Sequence, residues 1–181
     1  MVTSMEEKLI QIFANINDWL KYSEVKNGVL LSLNSAVVMG FISLLKDAPI
    51  PLKFSINLCL IPSFTLSLIV LLSSFLPILD KLFNKKDEIR EINGDNINLL
   101  FYGDLRKLST SVYLKLLYQS CNEVIPESFE KLELDLANQI IINSVITYRK
   151  LIFFRIGAYI DFIGIFSGIS LFFIQIVLQK G

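Results

Sequence analysis

The sequence predicts an all-α integral membrane protein with three transmembrane helices. Two of them form a hairpin and the third lies at the C-terminal end, with a helical cytosolic region between spans two and three. Of 181 residues, 53% are hydrophobic and only 19% charged, where an ordinary soluble domain carries about 25% charged residues. The missing charge is concentrated in Gly28 to Leu45, Phe54 to Leu79 and Ile156 to Leu178, which hold one Asp, Glu, Lys or Arg between them, Asp161. At about 1.5 Å rise per residue these stretches reach roughly 27, 39 and 35 Å against a hydrocarbon core of about 30 Å. The first is barely long enough, and the second must tilt or bend. The remaining residues are too few to wrap three such helices as buried cores of a soluble protein.

Taken in order, residues 1–27 form an amphipathic cytosolic helix. Leu9, Ile12, Phe13, Ile16, Trp19 and Leu20 recur at helical spacing, with Glu6, Lys8, Asn15, Asn17, Asp18 and Lys21 opposite. The charges from Glu6 to Lys26 leave no uninterrupted apolar core, so no cleaved secretory signal is expected. The apolar face either packs on the protein's own soluble part or lies in the bilayer interface, anchored by Trp19 and Tyr22.

Residues 28–79 read as the transmembrane hairpin. Pro49 and Pro51, within Lys46 to Lys53, forbid a continuing helix, so the chain turns back there. Pro62 predicts a bend near the start of span two, and Pro77 to Asp80 a stop near its end. Lys8, Lys21 and Lys26 precede span one, while Lys81, Lys85, Lys86, Arg90, Arg149, Lys150 and Arg155 flank spans two and three; the opposite side has only Lys46, Lys53 and Lys180. This bias places the N-terminus and the central region in the cytoplasm.

The central region, residues 80–152, is expected to be a helical sensor, and residues 153–181 to hold the third span and the C-terminus. Asp80 to Arg155 contains eleven acidic and eleven basic residues, so no field of one sign arises and nucleic-acid binding is not expected. Asn93-Gly94-Asp95-Asn96 is a turn cluster, Ser109 an N-cap before Val112 to Tyr118, and Pro126-Glu127 the first turn of the next helix. Nothing breaks a helix between Glu127 and Leu178, which would then run roughly 78 Å as one element.

The chain has no histidine, which removes the commonest general base, the usual zinc and haem ligands, and any Ser/His or Cys/His pair. Cys59 lies in a span and Cys121 in a polar region, so neither a disulfide nor a metal site is expected. An acidic metal site from Asp104, Glu130, Glu133 and Asp135 lacks paired spacing. Neither an enzyme nor a cofactor is expected.

In span three, Gly157, Asp161, Gly164, Gly168 and Gln175 fall near one helical face, and in span one Ser32, Ala36 and Gly40 form a second small ridge. Such ridges let helices approach closely, within the chain or in a homo-oligomer. A carboxylate at Asp161 needs water or a partner at membrane depth, and Asn34 in span one is a candidate.

Between spans two and three, Asn98-Leu-Leu-Phe-Tyr-Gly-Asp-Leu105 is followed by Leu108-Ser109, Tyr113-Leu114, then Asp135-Leu-Ala-Asn-Gln139-Ile140 and Tyr148-Arg-Lys150. In order and placement, across essentially the whole chain, this pattern resembles the transmembrane effectors of Pycsar antiphage systems. The resemblance implies a downstream effector at the bacterial inner membrane. A partner pyrimidine nucleotide cyclase would make cyclic CMP or cyclic UMP, and the effector would respond by impairing the lipid bilayer. A small anion with a flat base needs a cation for its phosphate, and stacking and hydrogen bonds for its base. Arg106 and Lys107, with Phe101, Tyr102 and Asp104 beside them, Asn98, Tyr113 and Gln139 are the candidates for these roles. The alternative uses of these residues are a tertiary clasp at the loop and, for the whole chain, a non-conducting anchor that recruits a cytosolic partner.

Overall fold

A computed structural model describes residues 4–76 and 97–180, and every regular element among them is helical. The turn expected at Asn93 to Asn96, the stop at Pro77 to Asp80, and Lys81, Lys85, Lys86 and Arg90 lie outside the described residues. Helix α1 spans Met5–Leu44. It opens with the Glu7 amide donating to Ser4 Oγ at 3.2 Å, and Glu6 and Glu7 complement the positive end of the helix dipole. The expected amphipathic segment and span one are thus one helix, because no proline separates them and Gly28 alone lowers helix propensity by only about 1 kcal/mol.

After the Pro49 turn, α2 (Ile50–Ser55) carries Pro51 in its first turn, where a missing N–H costs nothing. A π-helical turn, Ile56–Leu60, leads into α3 (Ile61–Ser73). The wider turn sits immediately before Pro62, whose ring would otherwise meet the carbonyl four residues back; this is the irregularity expected in span two. Beyond it come α4 (Tyr102–Leu105), α5 (Thr110–Ser120) and the 50-residue α6 (Lys131–Lys180). Three helices, Met5–Leu44, Ile50–Ser73 and Lys131–Gln179, are long and apolar enough to cross a membrane, and the protein is an all-α membrane protein.

The chain forms two compact units, Met1–Glu24 with Pro77–Arg149, and Val25–Leu76 with Lys150–Gly181; α1 and α6 contribute to both. In the first, Leu9, Ile12 and Ile16 of α1 are buried against Leu105, Leu108, Tyr113, Leu114, Leu117, Ala137 and Ile140. The amphipathic face of α1 therefore packs on the protein's own helical unit. Ser109 caps α5 by accepting the Val112 amide at 3.4 Å, as the sequence predicts. Asn122, at φ 55°, ends it, with the Glu123 amide on Tyr118 O and the Asn122 amide on Gln119 O. α6 begins at Lys131, later than the expected Pro126-Glu127. Glu133 explains the shift: one carboxylate oxygen accepts the Glu130 amide at 3.2 Å and the other the Tyr118 hydroxyl at 2.6 Å, fixing the first turn.

The second unit buries many polar side chains and exposes many apolar ones. Asn27, Asn34, Ser55, Ser67, Ser74 and Asp161 are buried beside Ile56, Phe64 and Leu71, while Val29, Leu33, Met39, Leu66, Ile69, Phe162, Ile163, Phe166 and Phe173 are exposed. That is the pattern of a bundle whose surroundings are hydrocarbon. Lys26 lies over the Phe154 ring and Lys150 over the Phe75 ring, at 4.6 and 4.7 Å to the centroids.

Candidate functional site

Two clusters, one in each unit, gather the residues with chemistry to offer. In the helical unit, the stretch from Asn98 to Leu108 wraps on itself. Asn98 Oδ1 accepts the Leu100 amide at 2.9 Å, and the Asn98 amide donates to Asp104 Oδ2 at 3.3 Å. Lys107 Nζ meets Asp104 Oδ1 at 2.8 Å. The Lys107 ammonium holds the Asp104 carboxyl below its ordinary pKa; burial pushes the other way, and the Asn98 amide adds to the lowering. Asn98, Asp104 and Lys107 are therefore occupied with one another and act as a clasp.

Arg106 is different. Its guanidinium carbon lies over the ring of Tyr148 of α6, 3.5 Å from the centroid, and its Nε is buried with no hydrogen-bond partner. One turn earlier, the Tyr102 ring stands 5.3 Å from Trp19 and 4.6 Å from Phe101. The Arg106 amide donates to Tyr102 O at 3.2 Å, so the cation and the aromatic group sit on adjoining turns. A cation stacked on one aromatic ring, beside a second aromatic cluster, is suited to an anionic ligand carrying a flat ring. Tyr113 does not join them: it is fully buried in the core, its hydroxyl has no partner, and burial drives its pKa upward. Gln139 is exposed, on the side of α6 away from buried Ala137 and Ile140.

In the bundle, Asn34, Ser67 and Asp161 meet from three different spans. Asn34 Nδ2 donates to Asp161 Oδ2 at 2.9 Å and to Ser67 Oγ at 2.8 Å; Ser67 Oγ lies 3.1 Å from both Asp161 Oδ2 and Gly157 O. Asn34 and Ser67 are fully buried and Asp161 is 7% exposed. The glycines beside them close onto span two of the same chain. A Cβ on Gly157 would meet Ser67 and Leu71, one on Gly164 would meet Ser63, and one on Gly168 would meet Leu60. Ser32, Ala36 and Gly40 are exposed, and Gln175 is half-buried.

Against known families, residues 8–178 match the model described as the Pycsar effector protein domain, PycTM. The chain belongs to the Pycsar effector family. Searches of curated proteins and of solved structures gave no match. Membership makes this chain an antiphage defence effector with a link to a cyclase and its cyclic nucleotide signal.

Within this Pycsar effector, reasoning from sequence missed Trp19, Tyr148 and Ser67. Trp19 reads either as part of an apolar face packed on the soluble part or as an interfacial anchor, and Tyr102 is seen against it only in the structure. Tyr148 is 42 residues from Arg106, and only the register of α6 brings them together. Ser67 had a signal: Ser63, Ser67 and Leu71 recur every four residues, and all three face the span-three glycines.

Proposed function

We propose that this effector senses cyclic CMP or cyclic UMP through its helical unit and responds by impairing the bacterial inner membrane, causing abortive infection. The observation that carries the reading is Arg106: a buried guanidinium Nε with nothing to donate to, over Tyr148 and one turn from Tyr102. An unpaired buried donor costs about 1 to 3 kcal/mol, and a phosphodiester oxygen would relieve that cost. Tyr102, Trp19 and Phe101 offer faces to a pyrimidine, while Asn98, Asp104 and Lys107 hold the loop in place. The ligand is bound and not turned over.

The N-terminus and the helical unit face the cytoplasm in this reading, where a partner pyrimidine cyclase releases its product. Three spans in one subunit do not enclose an aqueous path, so membrane damage calls for a homo-oligomer. The span-three glycines are occupied within the chain, which makes the exposed ridge of Ser32, Ala36 and Gly40 the face for a second copy.

Dye release from anionic liposomes containing the full chain, titrated with cyclic CMP and cyclic UMP against purine cyclic nucleotides, tests the proposal. Pyrimidine-specific release is expected, with Arg106→Ala shifting the half-maximal concentration upward by roughly tenfold or more, the worth of one charge-assisted hydrogen bond. Absence of release with every nucleotide, in demonstrably reconstituted protein, would favour a non-conducting anchor that recruits a cytosolic partner.

A further inference from the structure

Where span two leaves the hairpin turn, Ile50, Lys53, Phe54, Asn57 and Leu58 line a shallow groove of about 310 Å³. Ligand pockets run from about 300 to 1,000 Å³, so the space is enough for a small group. The five positions recur at helical spacing, and the cation and the amide therefore share one face with three apolar side chains on successive turns. That face is turned away from the bundle: Ile50, Phe54 and Leu58 are exposed. The apolar run of span two begins at Phe54, so Lys53 marks the rim of the hydrocarbon, and Asn57 lies four residues on, about 6 Å deeper.

Both polar side chains have capacity to spare. The Asn57 side chain is exposed at that depth and enters no hydrogen bond among the described residues. An unpaired amide facing hydrocarbon is costly, and exposed serines of α1 escape the cost by bonding back to their own helix, Ser35 to Leu31 O and Ser43 to Met39 O. Lys53 Nζ donates to Lys46 O at 3.3 Å and joins no ion pair among the described residues, Asp47 of the turn included, so two ammonium protons and the charge stay available. A soluble anion would satisfy Lys53 but leave Phe54 and Leu58 unmatched. A second copy of the chain, packed here about a twofold axis, would bring two Lys53 charges to one face. A glycerophospholipid matches every group in order from the rim inward: phosphate at Lys53, ester carbonyls at the Asn57 amide, acyl chain along Phe54 and Leu58. A zwitterionic lipid carries an ammonium that competes with Lys53 for the phosphate, whereas an anionic one does not.

We propose that Lys53 and Asn57, with Phe54 and Leu58, bind one anionic glycerophospholipid in the leaflet at the hairpin-turn end of the bundle. Asn57 and Leu58 belong to the π-helical turn Ile56–Leu60, so the lipid braces the one irregular stretch of span two among the described residues. The site is independent of the nucleotide reading and stands or falls apart from it.

The test is native mass spectrometry of the full chain released from detergent micelles, titrated with dioleoylphosphatidylglycerol and, in parallel, dioleoylphosphatidylcholine. One phosphatidylglycerol per chain should be retained in preference to phosphatidylcholine. Lys53→Ala should weaken its binding roughly tenfold, the worth of one charge-assisted hydrogen bond, and Asn57→Leu roughly threefold, the worth of a neutral one. Lys46→Ala removes a charge from the same turn without altering the groove lining and should leave binding unchanged. Absence of a stoichiometric lipid on the wild-type chain would overturn the proposal, as would unchanged binding in Lys53→Ala or an equal loss in Lys46→Ala, which would reduce the effect to general charge attraction. Displacement of the lipid by millimolar glycerol 3-phosphate would assign the groove to a soluble phosphate, and a dimer lost in Asn57→Leu would assign it to a second copy; either result also overturns the proposal. Should a variant not fold, the wild-type chain decides: crosslinks from a photoactivatable phosphatidylglycerol within residues 50–58 support the site, and crosslinks that fall elsewhere refute it.

Discussion

Gly164 offers the sharpest test of how spans two and three are held. A Cβ there falls inside the contact distance of both Oγ and Cβ of Ser63. The Ser63 hydroxyl can rotate away, at the cost of its 3.0 Å bond to Leu60 O, but no rotation moves Cβ. Gly164→Ala must therefore push the two helices apart. Overpacking of this kind costs about 1 to 3 kcal/mol. A clash with Cβ belongs to the upper half of that range, about 2 to 3 kcal/mol, and alanine returns about 1 kcal/mol of helix propensity, leaving a net loss of about 1 to 2 kcal/mol. Gly168→Ala meets Leu60 Cδ2 at 2.7 Å and Cγ at 2.9 Å, near the movable end of a side chain, and should cost less. Gly28→Ala and Gly40→Ala meet nothing within 4 Å and should be neutral or stabilising by up to about 1 kcal/mol. Equilibrium unfolding in mixed micelles, followed by far-ultraviolet circular dichroism, gives the ranking. On the Gly164→Ala background, Ser63→Gly should restore most of the loss and Ser63→Ala only the part due to Oγ. A Gly164→Ala variant as stable as wild type, or no recovery with Ser63→Gly, would refute the close approach.

Three further outcomes follow from the helical unit. Ser109→Ala removes the cap on the Val112 amide and should cost about 1 kcal/mol, read from denaturant midpoints of the full chain. Tyr118→Phe deprives buried Glu133 of its 2.6 Å donor while leaving the Glu130 amide in place; a loss of about 1.5 kcal/mol is expected, and Glu133→Gln on that background should recover part of it. Because the folded-state pKa of Asp104 is lowered, its contribution to stability is complete above the ordinary carboxylate pKa of about 4 and is lost as pH falls through the lowered value. Acid unfolding should therefore show a smaller loss below pH 4 in Asp104→Asn than in wild type.

Much of the fold was legible because spanning is a property of composition: three charge-poor stretches are enough to place three membrane helices. The join of the amphipathic segment to span one lies beyond the sequence reading, which takes residues 1–27 as an element of their own, although nothing between Glu24 and Gly28 breaks a helix. The start of α6 was not legible either. Pro126-Glu127 has the local form of a helix start, but the first turn is fixed by Glu133 holding both the Glu130 amide and the Tyr118 hydroxyl, and Tyr118 belongs to another helix. For the sites, Asn34 and Asp161 were found together because spans contain few polar side chains, so each has few possible partners. Ser67 was hidden among serines that bond back to their own helix, as Ser63 and Ser73 do. Arg106 was named for its charge, whereas what sets it apart from Lys107 is that Lys107 has Asp104 and the Arg106 Nε has no partner.

The two clusters share one physical logic, incompleteness under burial. Buried polar groups in folded proteins are ordinarily paired, so an orphan calls for an explanation, although the core hydroxyl of Tyr113 shows that an orphan alone does not make a site. In the helical unit the cluster's orphan is a donor, Arg106 Nε, with the Tyr113 hydroxyl and Thr147 Oγ1 orphaned elsewhere; in the bundle the cluster's orphans are acceptors, Asn34 Oδ1 and Asp161 Oδ1, with Asn27 Oδ1 and Ser74 Oγ orphaned elsewhere. The bundle has little else to hold it. Its exterior is apolar and gains nothing by helix association in hydrocarbon, so cohesion falls to glycine-mediated close approach and to interhelical hydrogen bonds worth about 0.6 kcal/mol each. A bundle held by terms of that size can be re-set by a ligand whose affinities for two arrangements differ by a few kcal/mol. The hydrogen bonds that join Asn34, Ser67 and Asp161 raise that threshold, and removing them should lower it. On the function proposed above, Asp161→Ala, which removes the acceptor of two interhelical bonds, should therefore release dye at lower nucleotide concentration than wild type, whereas a requirement for more nucleotide would mean that the cluster opens the bundle instead of closing it.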